Sequence, residues 1–450
     1  MKVIKAVVLL LMILLVPFKG AAAEGKQIFS PVEKEYICAW LSLAAYDDRI
    51  GLAAREELAL SGWEMAKHQE ETKKSAPEFF LVKRTQENGA PVYLVALTGT
   101  KDKKDIKTDI NFSKVRFGGN TKEEFIIYAD RVNVKSDEPQ VHGGFNNYTQ
   151  TAFFTKVQED GLTLGEWLAK QLKADTNARL YLTGHSLGGA AAVLLAERLH
   201  SMGVARDQVE VVTFGAPAVG NAAFCELCKD MDHDRIVIDG DPVRGVLQSL
   251  NAGYAVSGNL NVWKSNPNAD LFKHSMAVYL DAAMRRYYDE YPDFPQGADT
   301  AEDVYVAVRV NIASALESDK YYIEQAIKNY LYRTSKGAVI FSKAPQATKR
   351  DHLNAAKKAD CEFVEIIDVN VQSLKSGQTD RSYAAKDAVY DNVRGHNVYT
   401  IAMQEAIYDS LGNLIGGFGA TTNNKAMTPI EAAVYDAVFA RADRARLLGW

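Results

Sequence analysis

The spacing of apolar residues along the first 290 positions changes repeatedly, and each change predicts a switch between helix and strand. Helical spacing is found over Val32–Ala45, Asn146–Asp160, Leu164–Ala174, Asn221–Asp230 and a segment from just after His274 to about Tyr288. Short apolar runs typical of strands occupy Phe79–Thr85, Pro91–Leu97, Val209–Phe214 and Arg235–Ile238. Another mostly apolar run, Phe125–Val134, is interpreted as a strand, with a segment that flanks a lid as the alternative. Such alternation predicts a doubly wound, mainly parallel α/β sheet.

Residues beyond position 302 carry a second set of predicted elements, after a linker rich in Pro, Gly and Asp that we place at 291–302. The predicted strands are Val304–Val310, Ala338–Phe341, Glu362–Leu374, Val398–Tyr408 and Asn413–Ala420, and the helices are Tyr321–Leu331, Thr348–Ala359 and Thr428–Leu448. We therefore expect one α/β domain over 24–290 and a smaller α/β or α+β domain over 303–450.

The first 23 residues follow a different pattern. Lys2 and Lys5 precede the apolar run Ala6–Val16, and the small residues of Ala21-Ala-Ala23 follow. This three-part pattern predicts a cleaved signal peptide, with a retained membrane anchor as the alternative. We therefore expect a protein that is secreted or periplasmic.

Composition narrows the classes of partner and cofactor. Apolar residues make up 47% of the chain and charged residues 24%, which is typical of a globular protein. The net charge is −5 and no basic block is present, so nucleic-acid binding is not expected. Cys225-Glu-Leu-Cys228 has the spacing of a redox or metal pair, but no second pair completes a metal site. We expect a local disulfide or free thiols there, and neither a metal nor an organic cofactor.

Ser186 lies where the chain passes from an apolar strand, opened by Arg179, into an Ala- and Leu-rich helix. The connection is Gly184-His-Ser-Leu-Gly188, and a Gly-x-Ser-x-Gly turn between strand and helix is a nucleophile elbow. Gly184 and Gly188 carry no side chains that would collide in such a strained turn. Ser186 is therefore the predicted nucleophile, and the alternative is an inert serine in a glycine-rich turn.

A nucleophilic serine needs a general base, which in this class of sheet follows both the nucleophile and the acid along the chain. Only His274, His352 and His396 satisfy that order. His274 is the predicted base because it lies in the first domain beside a helix start, whereas the other two lie among polar residues of the second domain. His185 is adjacent to the nucleophile and is interpreted as a packing residue.

Two acids, Asp239 and Asp241, follow the strand Arg235–Ile238, and an acid at a strand end can orient an imidazole. Asp241 is favoured because Pro242 restricts the backbone beside it. Asp239 precedes a glycine, and Asp-Gly is a strong turn former, so a turn role is the alternative for Asp239.

The developing oxyanion needs hydrogen-bond donors. The backbone N–H of Leu187, the residue after the nucleophile, is one predicted donor. The second is predicted from the loop after an earlier strand, which points to Thr100 at the end of Thr98-Gly-Thr100.

Five segments occur in the order found in the class 3 lipases, and the chain resembles that family over about residues 27–288. They are Thr98-Gly-Thr100, Val141-His-Gly-Gly-Phe145, Thr183-Gly-His-Ser-Leu-Gly-Gly189, Thr213-Phe-Gly-Ala-Pro-Ala-Val-Gly-Asn221 and Asp241-Pro-Val243. The resemblance implies an α/β-hydrolase fold, a triad of Ser186, Asp241 and His274, and Thr100 at the oxyanion position. It also implies a lid at approximately Asp105–Asn120. The chain departs from the family at Thr98, where Arg is usual, and at Gly143, where Lys is usual.

These features together predict an exported serine carboxylester hydrolase that acts on acyl esters of lipids, in the manner of a triacylglycerol lipase. A phospholipase A1 and a small-ester esterase are alternatives that the sequence does not separate. A different class of alternative is a non-catalytic envelope protein that uses the hydrolase fold as a scaffold. For the second domain, the residues leave three roles open: binding an envelope or protein partner, attachment to a surface, or capping of the first domain.

Overall fold

The structure is a computed structural model, and it describes residues 28–46, 49–60, 62–73, 75–86, 88–99, 113–131, 135–158, 161–245, 253–267, 273–294, 303–335, 338–375, 397–424 and, after these, 428, 430, 433–434, 437, 444 and 446–448. The predicted signal peptide (1–23), Thr100, His396 and residues 295–302 of the predicted linker lie outside the described residues.

Seven strands form the larger sheet, in the spatial order β1 (Glu64–Gln69), β2 (Glu78–Thr85), β3 (Pro91–Leu97), β6 (Arg179–His185), β7 (Val209–Phe214), β8 (Asp232–Ile238) and β9 (Asn259–Trp263). Between β3 and β6 along the chain, β4 (Lys114–Arg116) and β5 (Gln140–His142) pair with each other as a separate ribbon. Strands β1 to β3 are antiparallel, and the five strands from β3 to β9 run parallel. The predicted α/β-hydrolase fold, with its mainly parallel sheet, is confirmed.

Helices cover both faces of this sheet. One face is packed by α1 (Pro31–Ala44), α2 (Arg49–Leu60) and α8 (Met276–Glu290). The other face is packed by α3 (Lys122–Ala129), α4 (Gly143–Phe154), α5 (Leu164–Ala174), α6 (Leu187–Ser201) and α7 (Ala222–Leu227). Because helices cover it on both sides, all seven residues of the central strand β6 are buried, which explains the apolar run Leu180-Tyr-Leu182 in its first half.

A second, five-stranded sheet follows, in the order β11 (Val339–Phe341), β10 (Val304–Ile312), β12 (Phe363–Lys375), β13 (Asn397–Asp409) and β14 (Leu414–Asn424). Strand β10 is parallel to both β11 and β12, whereas β12, β13 and β14 are antiparallel. Helix α9 (Lys320–Thr334) packs on one face, and α10 (Lys349–Lys358) packs on part of the other. This mixed sheet is the smaller C-terminal unit that the sequence predicts, and the domain boundaries themselves stay a prediction.

The two sheets share one apolar cluster, because helix α8 of the first packs against helix α9 of the second. Buried polar groups cross the same junction. Asp319, in the helical turn before α9, accepts hydrogen bonds from Arg285 of α8 and from Asn266, the latter at 2.8 Å between Nδ2 and Oδ1. The same Arg285 also donates a hydrogen bond from its Nε to the Oδ2 of Asp281 at 2.8 Å. Since α8 begins two residues after His274, the second sheet supports the helix that follows the predicted base.

Replacing Asp319 by alanine is expected to lower the free energy of unfolding by about 3–5 kcal/mol, because it leaves a buried amide and a largely buried guanidinium without this carboxylate. The exposed Glu317 in the same turn is the matched control. Its surface ion pair with Lys320 spans 3.5 Å, so Glu317→Ala is expected to cost less than about 1 kcal/mol. Urea unfolding of both variants measures the difference, and equal losses would contradict a role for this junction in stability.

The interpretation of Phe125–Val134 as a strand is wrong. The run Phe125–Val134 contains helix α3 instead, and residues 132–134 lie outside the described part. The side chain of Thr121 accepts a hydrogen bond from the N–H of Glu124, and two glutamates in the first turn favour a helix start. Within the apolar run, Phe125 is buried whereas Ile126 and Ile127 are exposed. The run is therefore part of a helix that buries one face, although its consecutive apolar residues are also typical of a strand.

The helix predicted over Asn146–Asp160 is displaced. It begins at Gly143 and ends at Phe154, because His142 caps its start and the backbone turns extended at Thr155. The remaining predicted elements lie within a few residues of their expected bounds. Helix α2 and strands β1, β4, β5 and β9 were not predicted, since their short segments carry no clear apolar period. Single positions of the predicted helix Thr428–Leu448 are described, and several of them, including Ile430 and Val434, are buried against the second sheet.

Three further features concern cysteines, membranes and metal ions. Cys38, Cys225, Cys228 and Cys361 are all free thiols, which leaves the second of the two alternatives for Cys225 and Cys228. Within the described ranges, no helix combines the length and the apolar character needed to cross a bilayer. In the same ranges, no three His, Cys, Asp or Glu side chains converge in a way suited to a metal ion.

Candidate active site

Ser186 occupies a strained turn between strand β6 and helix α6. Its φ of 56° and ψ of −123° are unusual for a residue with a side chain. The surrounding glycines are required by close backbone approach. A Cβ on Gly184 would lie 2.4 Å from the carbonyl carbon of Gly188, and one on Gly188 would lie 2.0 Å from the carbonyl oxygen of Leu97. The turn therefore presents Ser186 at the carboxyl end of the central strand, as the sequence predicts for an elbow.

His274 lies against Ser186, although 88 residues separate them in the chain. Its Nε2 is 2.9 Å from the Ser186 Oγ, and its Nδ1 is 2.8 Å from the Asp241 Oδ2. An ionised carboxylate only accepts hydrogen bonds, so Nδ1 carries a proton and the Nε2 of a neutral imidazole accepts from the serine hydroxyl. The fold thus brings together the three residues predicted as nucleophile, acid and base.

The carboxylate of Asp241 has two further donors. The hydroxyl of Tyr279 donates to Oδ2, and the backbone N–H of Val243 donates to Oδ1 at 2.8 Å. Burial raises the pKa of Asp241, but the hydrogen bonds from His274, Tyr279 and Val243 outweigh burial and hold that pKa below its usual value. Asp241 is consequently a buried anion at neutral pH, suited to orienting an imidazole.

The alternatives for acid and base lie elsewhere. Asp239 is exposed, and its backbone N–H pairs with the Trp263 carbonyl at 2.8 Å, as expected of a turn residue. His352 is buried in the second unit, where its Nε2 lies 3.1 Å from the Pro345 carbonyl oxygen. His396 lies outside the described residues.

His185 positions His274 and does more than pack. Its Nε2 lies 2.7 Å from the His274 carbonyl oxygen, and its Nδ1 lies 2.7 Å from the Tyr46 hydroxyl. Because a carbonyl only accepts, Nε2 carries the proton and Nδ1 accepts from Tyr46. Burial, followed by nearby His274, lowers the pKa of His185 to about 3, so the ring stays neutral. Helix α1 is thereby tied through Tyr46 and His185 to the backbone of the predicted base.

Buried neutral histidines make a pH dependence of stability expected. The pKa of His185 is about 3 and that of His233 about 4, because both are buried. In the unfolded chain each takes up a proton below about pH 6.5, whereas the folded protein does not. Unfolding free energy is therefore expected to fall as pH drops from about 6.5 to about 4, by roughly 1.4 kcal/mol per pH unit for each histidine. Urea unfolding at several pH values in this range should show that the unfolding free energy of His233→Gln depends less steeply on pH than that of the wild type. An unchanged dependence would show that His233 is not a source of the effect.

Gly215, which follows strand β7, packs directly against the side chains of Asp241 and His274. Its φ is +59°, and a Cβ there would lie 2.9 Å from the Asp241 Oδ2 and 3.0 Å from the His274 Cε1. The sequence alone assigns no role to this glycine. Any side chain at this position would have to displace one member of the Asp241–His274 pair.

Gly215→Ala is therefore expected to lower kcat for a soluble ester by about a hundredfold, as misplacement of a catalytic group by about 1 Å does. Gly240 provides a matched control, because its φ of +84° is equally unfavourable for alanine but a Cβ there would meet no atom within 4 Å. Gly240→Ala is expected to keep the wild-type kcat. Steady-state kinetics of the pair separates crowding of the site from backbone strain, and equal kcat values would refute the crowding.

The predicted oxyanion groups are described in part. Leu187 is the first residue of helix α6, where the helix supplies no acceptor for the backbone N–H. Thr100 lies outside the described residues, but the segment that leads to it is close to the elbow. A Cβ on Gly99 would lie 2.8 Å from the His185 carbonyl oxygen, and the Tyr148 hydroxyl donates to the Thr98 carbonyl at 2.7 Å. Thr98 itself donates to the Ala45 carbonyl at 3.1 Å.

The segment predicted as a lid divides into two parts. Residues 105–112 lie outside the described part of the chain. Residues Lys114–Arg116 form strand β4, which pairs with β5, and the following Phe117 is buried against Phe224 with ring centroids 5.0 Å apart. The second half of the predicted lid therefore contains a short strand paired beside His142 and the buried Phe117.

Comparisons with known proteins relate the segment that contains Ser186 and Asp241 to lipases. Residues 94–248, which include Ser186 and Asp241, match the family model described as lipase (class 3), and the resemblance seen in the motifs is confirmed. Over 49 residues the chain is 53% identical to Lipase ZK262.3 of Caenorhabditis elegans, which covers 11% of this chain and only 14% of the nematode protein.

Solved structures that are similar include lipases of two fungi. Lipase II from Rhizopus niveus is 19% identical with a TM-score of 0.39, over 52% of this chain and 81% of that one. The triacylglyceride lipase of Rhizomucor miehei is 18% identical with a TM-score of 0.38, over 53% and 83% of the two chains.

Proposed function

We propose that this chain, which carries a class 3 lipase segment at residues 94–248, is an exported serine hydrolase that cleaves carboxylic esters of lipids. The observation that carries the proposal is the hydrogen-bonded path from the buried Asp241 through His274 to the strained Ser186. An inert serine in a glycine-rich turn would not be expected to contact an imidazole that a buried carboxylate orients.

In the first half of the proposed reaction, the Oγ of Ser186 attacks the ester carbonyl while the Nε2 of His274 takes the hydroxyl proton. The carbonyl oxygen becomes an anion, for which the backbone N–H of Leu187 and Thr100 are the proposed donors. His274 then returns the proton to the departing alcohol oxygen as the carbon–oxygen bond breaks. An acyl group remains on Ser186.

In the second half, a water molecule attacks the acyl-enzyme, and His274 takes its proton as general base. Collapse of the second tetrahedral species releases the fatty acid, and the proton passes from His274 back to Ser186. Asp241 stabilises the imidazolium that forms in both halves through the 2.8 Å contact with Nδ1. This sequence of steps uses the chain's own residues and consumes only ester and water.

The proposed substrate class is an acyl ester of a lipid, and the proposed compartment is periplasmic or extracellular. The class 3 lipase match supports the first, and the pattern of residues 1–23 supports the second. Export is tested by expressing the full chain in a bacterial host and determining the N-terminal residue of the exported product, which we expect to follow Ala23.

A panel of three substrates tests the activity: a triacylglycerol emulsion, phosphatidylcholine vesicles and a soluble p-nitrophenyl ester. We expect the wild type to release fatty acid from the triacylglycerol. Release from the phospholipid alone would instead identify a phospholipase A1, and turnover of the soluble ester alone would identify a small-ester esterase. Lack of activity on all three would favour a non-catalytic role of the hydrolase fold.

A further inference from the structure

The turn between strands β13 and β14 carries the densest group of exposed large apolar side chains in the described part of the second sheet. Leu411 is 86% exposed, Leu414 62% and Ile415 40%. Single exposed leucines are ordinary, but three within five residues form a patch that water solvates poorly. We refer to Leu411, Leu414 and Ile415 as the apolar tip.

The apolar tip is ordered by its own turn. The Oδ1 of Asp409 accepts hydrogen bonds from the backbone N–H groups of Leu411 at 3.0 Å and Asn413 at 2.8 Å, and Gly412 has a φ of +88°. A turn fixed by three such features presents Leu411 without a further loss of backbone entropy when the side chain is buried. The tip is thus a preorganised projection rather than a side effect of a frayed loop.

Helix α10 packs beside the tip and brings a cation against its turn. The Nζ of Lys349 donates to the Gly412 carbonyl at 3.1 Å and lies 3.9 Å from the centre of the Tyr408 ring. Leu353, one turn later, is close enough that a Cβ on Gly412 would lie 3.0 Å from its Cδ1. The flank of α10 that faces the tip is therefore the one that carries Lys349 and Leu353.

Helical spacing adds two more cations to that flank. Arg350 precedes Leu353 by three residues and Lys357 follows it by four, so both are neighbours of Leu353 on the helix surface. All three basic side chains are exposed. The acidic Asp351 lies on the opposite flank and accepts hydrogen bonds from the backbone and hydroxyl of Thr348 at the helix start. The tip is consequently bordered by positive charge in a chain whose net charge is −5.

We propose that the apolar tip and the flank of α10 bearing Lys349, Arg350 and Lys357 form an attachment site for an anionic lipid surface. Leucines that project from a rigid turn can enter the boundary between head groups and acyl chains while the cations contact phosphate or other anionic groups. A protein partner fits these features less well, because a narrow projection of five residues offers far less than the ~800 Å² per partner of a stable interface. The attachment site is independent of the triad.

Co-sedimentation with vesicles tests the proposal, using the full chain with Ser186→Ala so that hydrolysis does not alter the lipid. The probes are vesicles of phosphatidylcholine alone and vesicles that also contain phosphatidylglycerol. We expect binding to the anionic vesicles that weakens as salt is added. Combined Leu411→Ser and Leu414→Ser changes should lower the partition coefficient by at least about tenfold. Combined Arg350→Gln and Lys357→Gln changes should lower it by about fivefold for each cation removed, for anionic vesicles only.

The control variants change exposed apolar side chains on strand β9, away from the tip. Leu260 and Val262 on strand β9 are 45% and 47% exposed, so Leu260→Ser with Val262→Ser removes a smaller area of exposed apolar surface elsewhere and should leave binding unchanged. Circular dichroism verifies that each variant is folded. Absence of binding to anionic vesicles, or an equal loss in the β9 control, overturns the proposal. Sedimentation equilibrium that shows a dimer dissociated by the tip changes would assign the tip to a second copy of the chain and also overturns it.

Discussion

Replacing Ser186 by alanine is expected to lower kcat for ester hydrolysis by about a millionfold, as removal of a triad serine does in serine hydrolases of known mechanism. The reason is that the Ser186 hydroxyl lies at the end of the Asp241–His274 path, 2.9 Å from the His274 Nε2. Alanine carries the same backbone restriction as serine at a φ of 56°, so the turn should survive the change. The measurement is steady-state hydrolysis of a soluble ester, with urea unfolding to show that stability is unaltered.

Ser201 offers a matched control for Ser186→Ala. It lies at the other end of helix α6, and its hydroxyl donates to the Glu197 carbonyl at 2.9 Å. Ser201→Ala therefore deletes a serine hydroxyl from the same helix without approaching His274, and it should keep the wild-type kcat. Equal rates for wild type and Ser186→Ala would rule out the proposed mechanism, whatever the control shows.

Replacing Asp241 by asparagine is expected to lower kcat by about ten thousandfold, with KM changed little. The cause is that the NH₂ group of the introduced asparagine is a donor that must face one of the two N–H donors, His274 or Val243, which now bind the carboxylate. If the oxygen of the introduced amide accepts from Val243, the amide NH₂ faces His274, whose Nδ1 must then accept and whose Nε2 must carry the proton. A protonated Nε2 cannot take the proton of Ser186. If the amide is flipped, its NH₂ meets the Val243 N–H, and that arrangement is also unfavourable.

The control for Asp241→Asn is Asp239→Asn, which changes an exposed acid two residues away in the same turn. Asp239→Asn should retain kcat within about twofold, since substitutions on the surface away from the site have small effects. Kinetics of both variants on a soluble ester, including KM, test the assignment. A loss of activity in Asp239→Asn with retention in Asp241→Asn would reverse the choice of acid.

The elbow and the order of the site residues were predictable because each depends on local patterns. Gly184, Ser186 and Gly188 are constrained by atoms within the same turn and the adjoining strand, so the requirement for glycine is visible in the sequence. The choice of Asp241 over Asp239 depends on a turn of a few residues. In the structure, His274 lies within hydrogen-bond distance of both Asp241 and Ser186.

Residues that act across the fold were not predictable in the same way. Tyr279 donates to Asp241 across 38 residues, and Tyr46 reaches His185 across 139. A tyrosine in a helix carries no sign in the sequence of the distant carboxylate or imidazole that it contacts. Gly215 was also missed, because its requirement arises from the Asp241–His274 pair that packs against it and not from its neighbours in the chain.

The second sheet illustrates the same limit at larger scale. Its strands and helices follow from apolar periodicity, but the burial of Asp319 between Asn266 and Arg285 depends on how helices α8 and α9 meet. This contact connects the C-terminal unit to the helix that starts two residues after His274. The C-terminal unit therefore contributes to the surroundings of the site as well as presenting the apolar tip.

The most direct test of Ser186 as an activated nucleophile is labelling with a fluorophosphonate probe, followed by mass spectrometry to locate the adduct. Such probes react with a serine whose proton is removed by a neighbouring base. We expect one adduct, on Ser186, formed rapidly in the wild type and at least about a hundredfold more slowly in His274→Ala. An adduct on another residue, or equal labelling of Ser186 in the two proteins, would contradict the proposed activation of Ser186 by His274.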